Sequence, residues 1–292
     1  MNHSFSSHLL ENPQALIQRI ESRLGGDAVR ASWRETESGD GIRGSAVLFM
    51  LTRLPVEFSQ KSELCLLLNK RSRHVLQPGD LCCPGGGLQT TDKFLSLLMN
   101  LPFSPLHQWG RWTRWRARDP RLARRIAVLM TTGLREAWEE MRLNPLAVSF
   151  LGPLAVQQLV VFERRIYPLV AWVPVYPRLK PNWEVERILH VPLRQLLDPK
   201  NYGCYRLTFK AGEESAPRRG DYPCFIHRGR QGTDILWGAT FRITMDFLER
   251  VFGFRMPAME ELPVVKGRRG TTYLNGSVWS TGKHHEKAHS AK

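Results

Sequence analysis

An α+β or sandwich architecture is predicted by three observations. Short apolar runs of strand length recur, two long stretches carry apolar residues at helical spacing, and Pro and Gly clusters punctuate the chain between them. In order, residues 13–24 place Ala15, Leu16, Ile20 and Leu24 as a short amphipathic helix, with Asn12 as its cap and Gly25-Gly26 as its stop. Residues 45–51 and 64–68 read as buried strands, joined by a polar loop over 52–62 that contains Pro55. Pro78-Gly79 and Pro84-Gly85-Gly86-Gly87 are turn signals around a short segment at 80–83. Residues 121–141 form a long helix, and 147–161 and 166–176 form strands. Residues 193–197 make about one helical turn. Strand candidates follow at 205–209, 224–227 and 234–237. Residues 239–252 are helical, with Phe241, Met245, Leu248 and Phe252 on one stripe.

Composition fits a packed core, since 42% of the 292 residues are hydrophobic and 24% charged. No apolar run approaches the roughly 20 residues that a membrane helix needs, and residues 1–10 lack the basic-then-apolar pattern of a secretion signal. A cytoplasmic protein is expected. Cys65, Cys82, Cys83, Cys204 and Cys224 include no C-x-x-C pair, which argues against a zinc site and for reduced, structural thiols. The formal net charge of +15 favours polyanionic partners: nucleic acid, phosphorylated metabolites or acidic lipid surfaces.

The chemistry concentrates at Leu134-Arg135-Glu136-Ala137-Trp138-Glu139-Glu140-Met141. On a helix, Glu136, Glu139 and Glu140 stand at i, i+3 and i+4 and share one face, with Leu134, Ala137, Trp138 and Met141 expected on the core side. Three adjacent carboxylates repel one another, and a hard divalent cation, Mg2+ or Mn2+, would relieve that repulsion. The plainer alternative is a solvated acidic face steadied by an Arg135–Glu139 pair, but on a strongly basic chain, after a Pro-Gly-Gly-Gly loop, an acidic cluster is less easily incidental.

Arg135-Glu136-Ala137-Trp138-Glu139-Glu140 resembles the second half of the Nudix box, G-x5-E-x7-R-E-U-x-E-E-x-G-U with U aliphatic, and Pro84-Gly85-Gly86 resembles the loop that opens it. The resemblance implies a Nudix-type α/β/α sandwich with a mixed sheet, in which the box forms a loop-helix-loop. It implies Glu136, Glu139 and Glu140 as metal ligands and Arg135 as the group that orients them. Gly85 and Gly86 would bring the backbone close to metal and substrate. Arg135 follows Gly86 at far more than the box's spacing, so an insertion over about 89–124 is expected. Counting back from Arg135, the box's first Glu falls on Ala127, and its late Gly falls on Arg142. The domain is expected over 1–266, with its core at about 43–252 and a disordered tail over 267–292.

Leu66-Leu67-Leu68-Asn69-Lys70-Arg71-Ser72, Pro78-Gly79-Asp80, Glu184-Val185 and Trp237-Gly238-Ala239-Thr240 look like segments of the coenzyme A pyrophosphatases within that superfamily. In that family's pattern, Gln77 stands for a His, Asp80 for a Gln and Cys83 for a Phe. The activity implied is metal-dependent hydrolysis of coenzyme A or an acyl-CoA to adenosine 3',5'-bisphosphate and 4'-phosphopantetheine. Glu140, Glu136 and Glu184 are the candidate proton acceptors, and Arg71 is a phosphate contact. Two alternatives stay open: a non-catalytic nucleotide- or nucleic-acid-binding module on the same scaffold, and a hydrolase of another nucleotide such as NADH or capped RNA.

The insertion alternates Trp109, Trp112 and Trp115 with arginines. It is read either as a lid that packs its tryptophans inward or as a surface for nucleic acid or an anionic membrane. The oligomeric state is open.

Overall fold

The computed structural model describes residues 3–34, 44–55, 62–158, 165–174, 178–209, 218–269 and Tyr273. Three helices open the chain: α1 (His3–Glu11), α2 (Pro13–Arg23) and α3 (Asp27–Arg34). Asn12 caps α2 as its position predicts, its side chain accepting from the Gln14 and Ala15 amides at 3.1 Å each. Leu16 and Ile20, one turn apart, are the buried side of α2.

Eight strands form the first sheet: β1 (Gly44–Pro55), β2 (Ser62–Arg71), β3 (Leu81–Cys82), β4 (Gly85–Gly87), β5 (Ser149–Pro153), β6 (Gln157–Gln158), β7 (Arg165–Val173) and β8 (Val185–Pro192). The order is β3-β2-β1-β7-β5, with β4 against β1, β6 against β7 and β8 against β2. β1 and β7 run parallel, and the other pairs are antiparallel, so the sheet is mixed.

Between β4 and β5 lie α4 (Thr90–Leu95), a 3-10 turn at Ser96–Asn100, α5 (Trp112–Arg118) and α6 (Pro120–Met141). After β8 come α7 (Leu193–Leu196), the strands β9 (Tyr202–Phe209), β10 (Arg218–Gly229) and β11 (Gly232–Trp237), α8 (Gly238–Phe252) and β12 (Val264–Arg269). The alternation of β1 decides the layers. Leu48 and Met50 join the core under α6, whereas Phe49 and Leu51 join the core with α2 and α8. Phe49 and Phe247 of α8 meet with ring centroids 4.7 Å apart. The result is the expected α/β/α sandwich.

Several boundaries differ from expectation. β1 continues to Pro55, where a loop was expected from Thr52, because Thr52 is buried and its hydroxyl donates to the Val173 carbonyl at 3.1 Å. The expected strand over 147–161 is two short strands, β5 and β6, and residues 159–161 lie outside the described residues. β7 ends at Val173, and 175–176 also lie outside them. The late strands form a second sheet, β11-β10-β9-β12, in which β12 pairs parallel with β9 through Arg269. Strand structure therefore runs past Gly267, the expected start of the tail, and Tyr273 is buried; residues 270–272 and 274–292 lie outside the described residues. All five cysteines are free thiols.

The segment between α4 and α6 packs against α6. Trp109, Trp112 and Trp115 are each no more than 2% exposed, Trp109 meeting Phe150 at 5.0 Å and Trp115 at 5.3 Å between centroids. Stacking on bases is thus closed to these three rings, because the core takes their faces; Arg114, Arg116 and Arg118 of the same stretch face solvent.

Candidate active site

α6 carries the acidic residues, and its ends explain its length. Asp119 caps it by accepting from the Leu122 amide at 3.1 Å, and Pro120 occupies the first turn, where no amide bond is lost. At the other end Arg142 adopts a left-handed conformation, φ 57°, where the Nudix box has a glycine. The last carbonyls of α6 are taken by the loop before β8: the Asn182 amide donates to the Glu140 carbonyl and the Lys180 amide to that of Met141, both at 2.9 Å. The same loop then sets Glu184, whose amide donates to the Asn182 side chain at 2.9 Å and whose carbonyl accepts from Ser72 at 2.8 Å. Helix end, loop and the end of β2 are thereby tied together.

Glu136 and Glu140, one turn apart, face the sheet. Glu140 is 9% exposed and accepts from the Asn69 side-chain amide at 2.7 Å. Burial, then the neighbouring carboxylates Glu136 and Glu184, push its carboxyl up to about 8, against the opposing pull of Asn69 and Arg71. Glu136 is also raised, by burial first and then by Glu139 and Glu184, although Arg135 opposes this from 3.0 Å. Gly86 makes the approach possible. A Cβ there would stand 2.3 Å from a Glu136 carboxylate oxygen, closer than any side chain tolerates. Gly85 is equally constrained, since a Cβ would meet the Ala46 carbonyl oxygen at 2.2 Å.

Arg135 is held by a residue the sequence did not single out. Asp92, fully buried at the start of α4, receives Arg135 Nε at 2.9 Å and Nη2 at 3.2 Å, and also caps α4 through the Gln89 amide at 2.9 Å. Burial alone would raise the Asp92 carboxyl, but Arg135, the Gln89 amide and Thr132 together hold it below its usual range. Arg135 Nη2 also reaches the Gly87 carbonyl at 3.0 Å, fixing β4 to α6. Ala127, the position expected for the box's first acidic residue, is instead core, 6% exposed. Counting back from Arg135 misses Asp92; counting forward from Gly86 by the G-x5-E spacing of the pattern this segment resembles reaches it.

One expectation about α6 is refined and one is corrected. Glu139 stays beside Glu136 on Arg135 but lies at the solvent edge of the carboxylate face. Its side chain is 49% exposed and paired with Arg135 at 3.1 Å, because it lies about 100° round the axis from Glu140. Trp138 is 46% exposed rather than core-facing, stacked beneath the Arg142 guanidinium at 5.4 Å, while Leu134, Ala137 and Met141 are buried as expected.

A pocket of about 100 Å³ opens beside Glu140, lined among others by Asn69, Arg71, Leu76, Cys82, Glu140 and Glu184. Arg71 is steadied by its Nε donating to the Leu76 carbonyl at 2.6 Å. The turn behind it is anchored by Asp80, which accepts from Arg269 at 2.8 Å, from the Trp237 indole at 3.3 Å and from the Tyr273 hydroxyl. Sequence spacing joins Glu136, Glu139 and Glu140; the fold instead gathers Glu136, Glu140, Glu184, Arg71 and Gly86. Asn69 lay inside a segment read from sequence, but nothing there marked it as Glu140's partner.

The donor set fits a hard divalent cation in kind. Carboxylates raised by one another, a buried Asn69 Oδ1 without a hydrogen-bond partner and the space kept at Gly86 all suit an oxygen-liganded ion. Among the described residues no group of three His, Cys, Asp or Glu side chains is already gathered as a metal site.

No family model matches the chain, and no curated protein matches it. Solved structures similar to it include a Nudix hydrolase from M. smegmatis, RenU, at 16% identity over 54% of this chain and 83% of that one, with a TM-score of 0.31. The NUDIX domain of Shewanella oneidensis NrtR, complexed with ADP ribose, is 15% identical over 59% and 86%, TM-score 0.32. A MutT/nudix family protein from Enterococcus faecalis is 11% identical over 78% and 70%, TM-score 0.37. What the pocket can do follows from its own residues.

Proposed function

We propose that the pocket at Glu140 is the active site of a diphosphate hydrolase that cleaves a nucleoside diphosphate linked to another moiety. The observation that carries the reading is the burial of Glu140 beside Glu136 and Glu184, in a pocket of about 100 Å³ that Arg71 also lines. Mg2+ or Mn2+ held by Glu136 and Glu140, with Glu139 one turn-edge away, would polarise phosphoryl oxygens and lower the pKa of the attacking water. Arg71 forks onto phosphate oxygens and holds the diphosphate in line. Arg135, clamped by Asp92, fixes the rotamer of Glu136 and the height of β4. Glu140, Glu184 or Glu136 accepts the water's proton.

The finer reading is coenzyme A or an acyl-CoA as substrate. It is supported by the sequence resemblance and by the meeting of two of the segments that carry it, through the Trp237–Asp80 hydrogen bond. The test is product release from coenzyme A, NADH, ADP-ribose and capped RNA with Mg2+ or Mn2+. Formation of adenosine 3',5'-bisphosphate from coenzyme A alone supports the full reading, and cleavage of a different compound moves the substrate. Silence on all four, with the protein folded, leaves a non-catalytic binding module.

A further inference from the structure

The segment that begins at Asp92 is turned inside out. Between 92 and 104 the buried polar side chains are Asp92, Ser96 and Ser104, while Phe94, Leu95, Leu97, Leu98 and Phe103 are 45% to 71% exposed. Asp92 is drawn inward by Arg135 and Thr132, and the Ser96 and Ser104 hydroxyls donate to the Lys93 and Met99 carbonyls at 2.7 and 2.8 Å. These bonds fix which side faces the protein and leave the large apolar side chains in water. Five such residues within ten positions is not the scatter of single exposed hydrophobes that ordinary surfaces carry.

The next helix of the same insertion presents the complementary chemistry. α5 buries Trp112 and Trp115 and exposes Arg114, Arg116 and Arg118. Both the 3-10 turn and α5 pack on α6, so one helix supports the apolar and the basic surfaces. We infer that this insertion is a docking surface for an anionic lipid bilayer, with Phe94, Leu97, Leu98 and Phe103 entering the interface and the α5 arginines lying among the headgroups. A second copy of the chain is a poorer occupant, because each carries a net charge of +15 and would bring its own arginines to the contact. An anionic bilayer satisfies apolar and basic residues together. No helix among the described residues is long and apolar enough to cross a membrane, so the attachment is to one face of the bilayer.

The test is co-flotation of the full chain with phosphatidylcholine vesicles, with and without phosphatidylglycerol. Binding is expected only with phosphatidylglycerol and should weaken as salt rises. Replacing Phe94, Leu97 and Leu98 by Ser, and separately Arg114, Arg116 and Arg118 by Gln, is expected to weaken partitioning by more than about tenfold each. All six side chains are exposed, so thermal melts of both variants should match the parent. Parent protein that stays off anionic vesicles at low salt overturns the inference. So does unchanged binding by the Ser variant, which would leave only nonspecific charge. A patch-dependent dimer in light scattering, or retention on single-stranded oligonucleotide but not on vesicles, assigns the surface to another occupant and equally overturns it.

Discussion

Asp92 and Arg135, far apart in sequence, hold each other through hydrogen bonds of 2.9 and 3.2 Å across the junction between the glycine loop and α6. The pair is buried on the Asp92 side and nearly so on the other, at 0% and 12% side-chain exposure. Removing Asp92 takes away the fully buried counter-charge of Arg135 and leaves it only the more exposed Glu136 and Glu139. Asp92→Ala should therefore cost about 3 kcal/mol or more in denaturant unfolding, and should release Arg135 from Glu136 and lower turnover. A loss under about 0.5 kcal/mol, the range of an ordinary surface change, would show that the clamp is ornamental.

Gly86→Ala tests the closest approach in the site. Its methyl group would stand 2.3 Å from a Glu136 oxygen, so Glu136 must move or β4 must retreat. A displacement of that size is expected to lower product release by about a hundredfold while leaving circular dichroism unchanged. Retained activity would mean that Glu136 is not needed where the structure holds it.

Glu140 gives a pH signature in the metal-free protein. Its folded carboxyl is raised from 4.5 to about 8, so its protonated form is the one the fold favours. That contribution is complete below pH 4.5 and disappears as pH rises through about 8. In chelator, the melting temperature of the wild type should fall relative to Glu140→Gln across this window, and the two should converge in acid. Parallel curves would mean that the group is solvated. In the same variant, added Mg2+ should lose its stabilising effect.

Arg142 closes α6 in a conformation that costs an L-residue about 1 kcal/mol or more. Arg142→Gly relieves the strain but gives up the exposed Trp138 stack, about 0.5 kcal/mol. The net expectation is a small gain in the chemical denaturation midpoint with activity unchanged. A clear loss would show that the cation–π contact outweighs the backbone term.

The readable parts of this chain are those decided by local periodicity. The stripe of α8 and the cap at Asn12 follow from neighbours in sequence. Legibility fails where a residue's role is set across the fold. Helical spacing alone grouped Glu139 with Glu140, and only the position of the sheet separates the buried carboxylate from the solvated one. Asp92 was hidden because its partner Arg135 lies 43 positions further along the chain. Asn69 reads as one more residue of an apolar strand until Glu140 is seen opposite it. β12 was missed because Lys266, Arg268 and Arg269 give it a polar, tail-like composition, although β9 supplies its pairing.

The Asp80 anchor has a consequence for the order in which the molecule is made. Chains emerge from the ribosome N-terminus first, and early segments can fold before late ones exist. The turn behind Arg71 is held by Trp237, Arg269 and Tyr273, which come from the second sheet and beyond it. During synthesis the carboxylate wall on α6 can therefore assemble while the opposite wall still waits for its fasteners. A nascent chain would pass through a stage with its acidic half formed and its Arg71 half loose, so the complete pocket would arrive late and in one step.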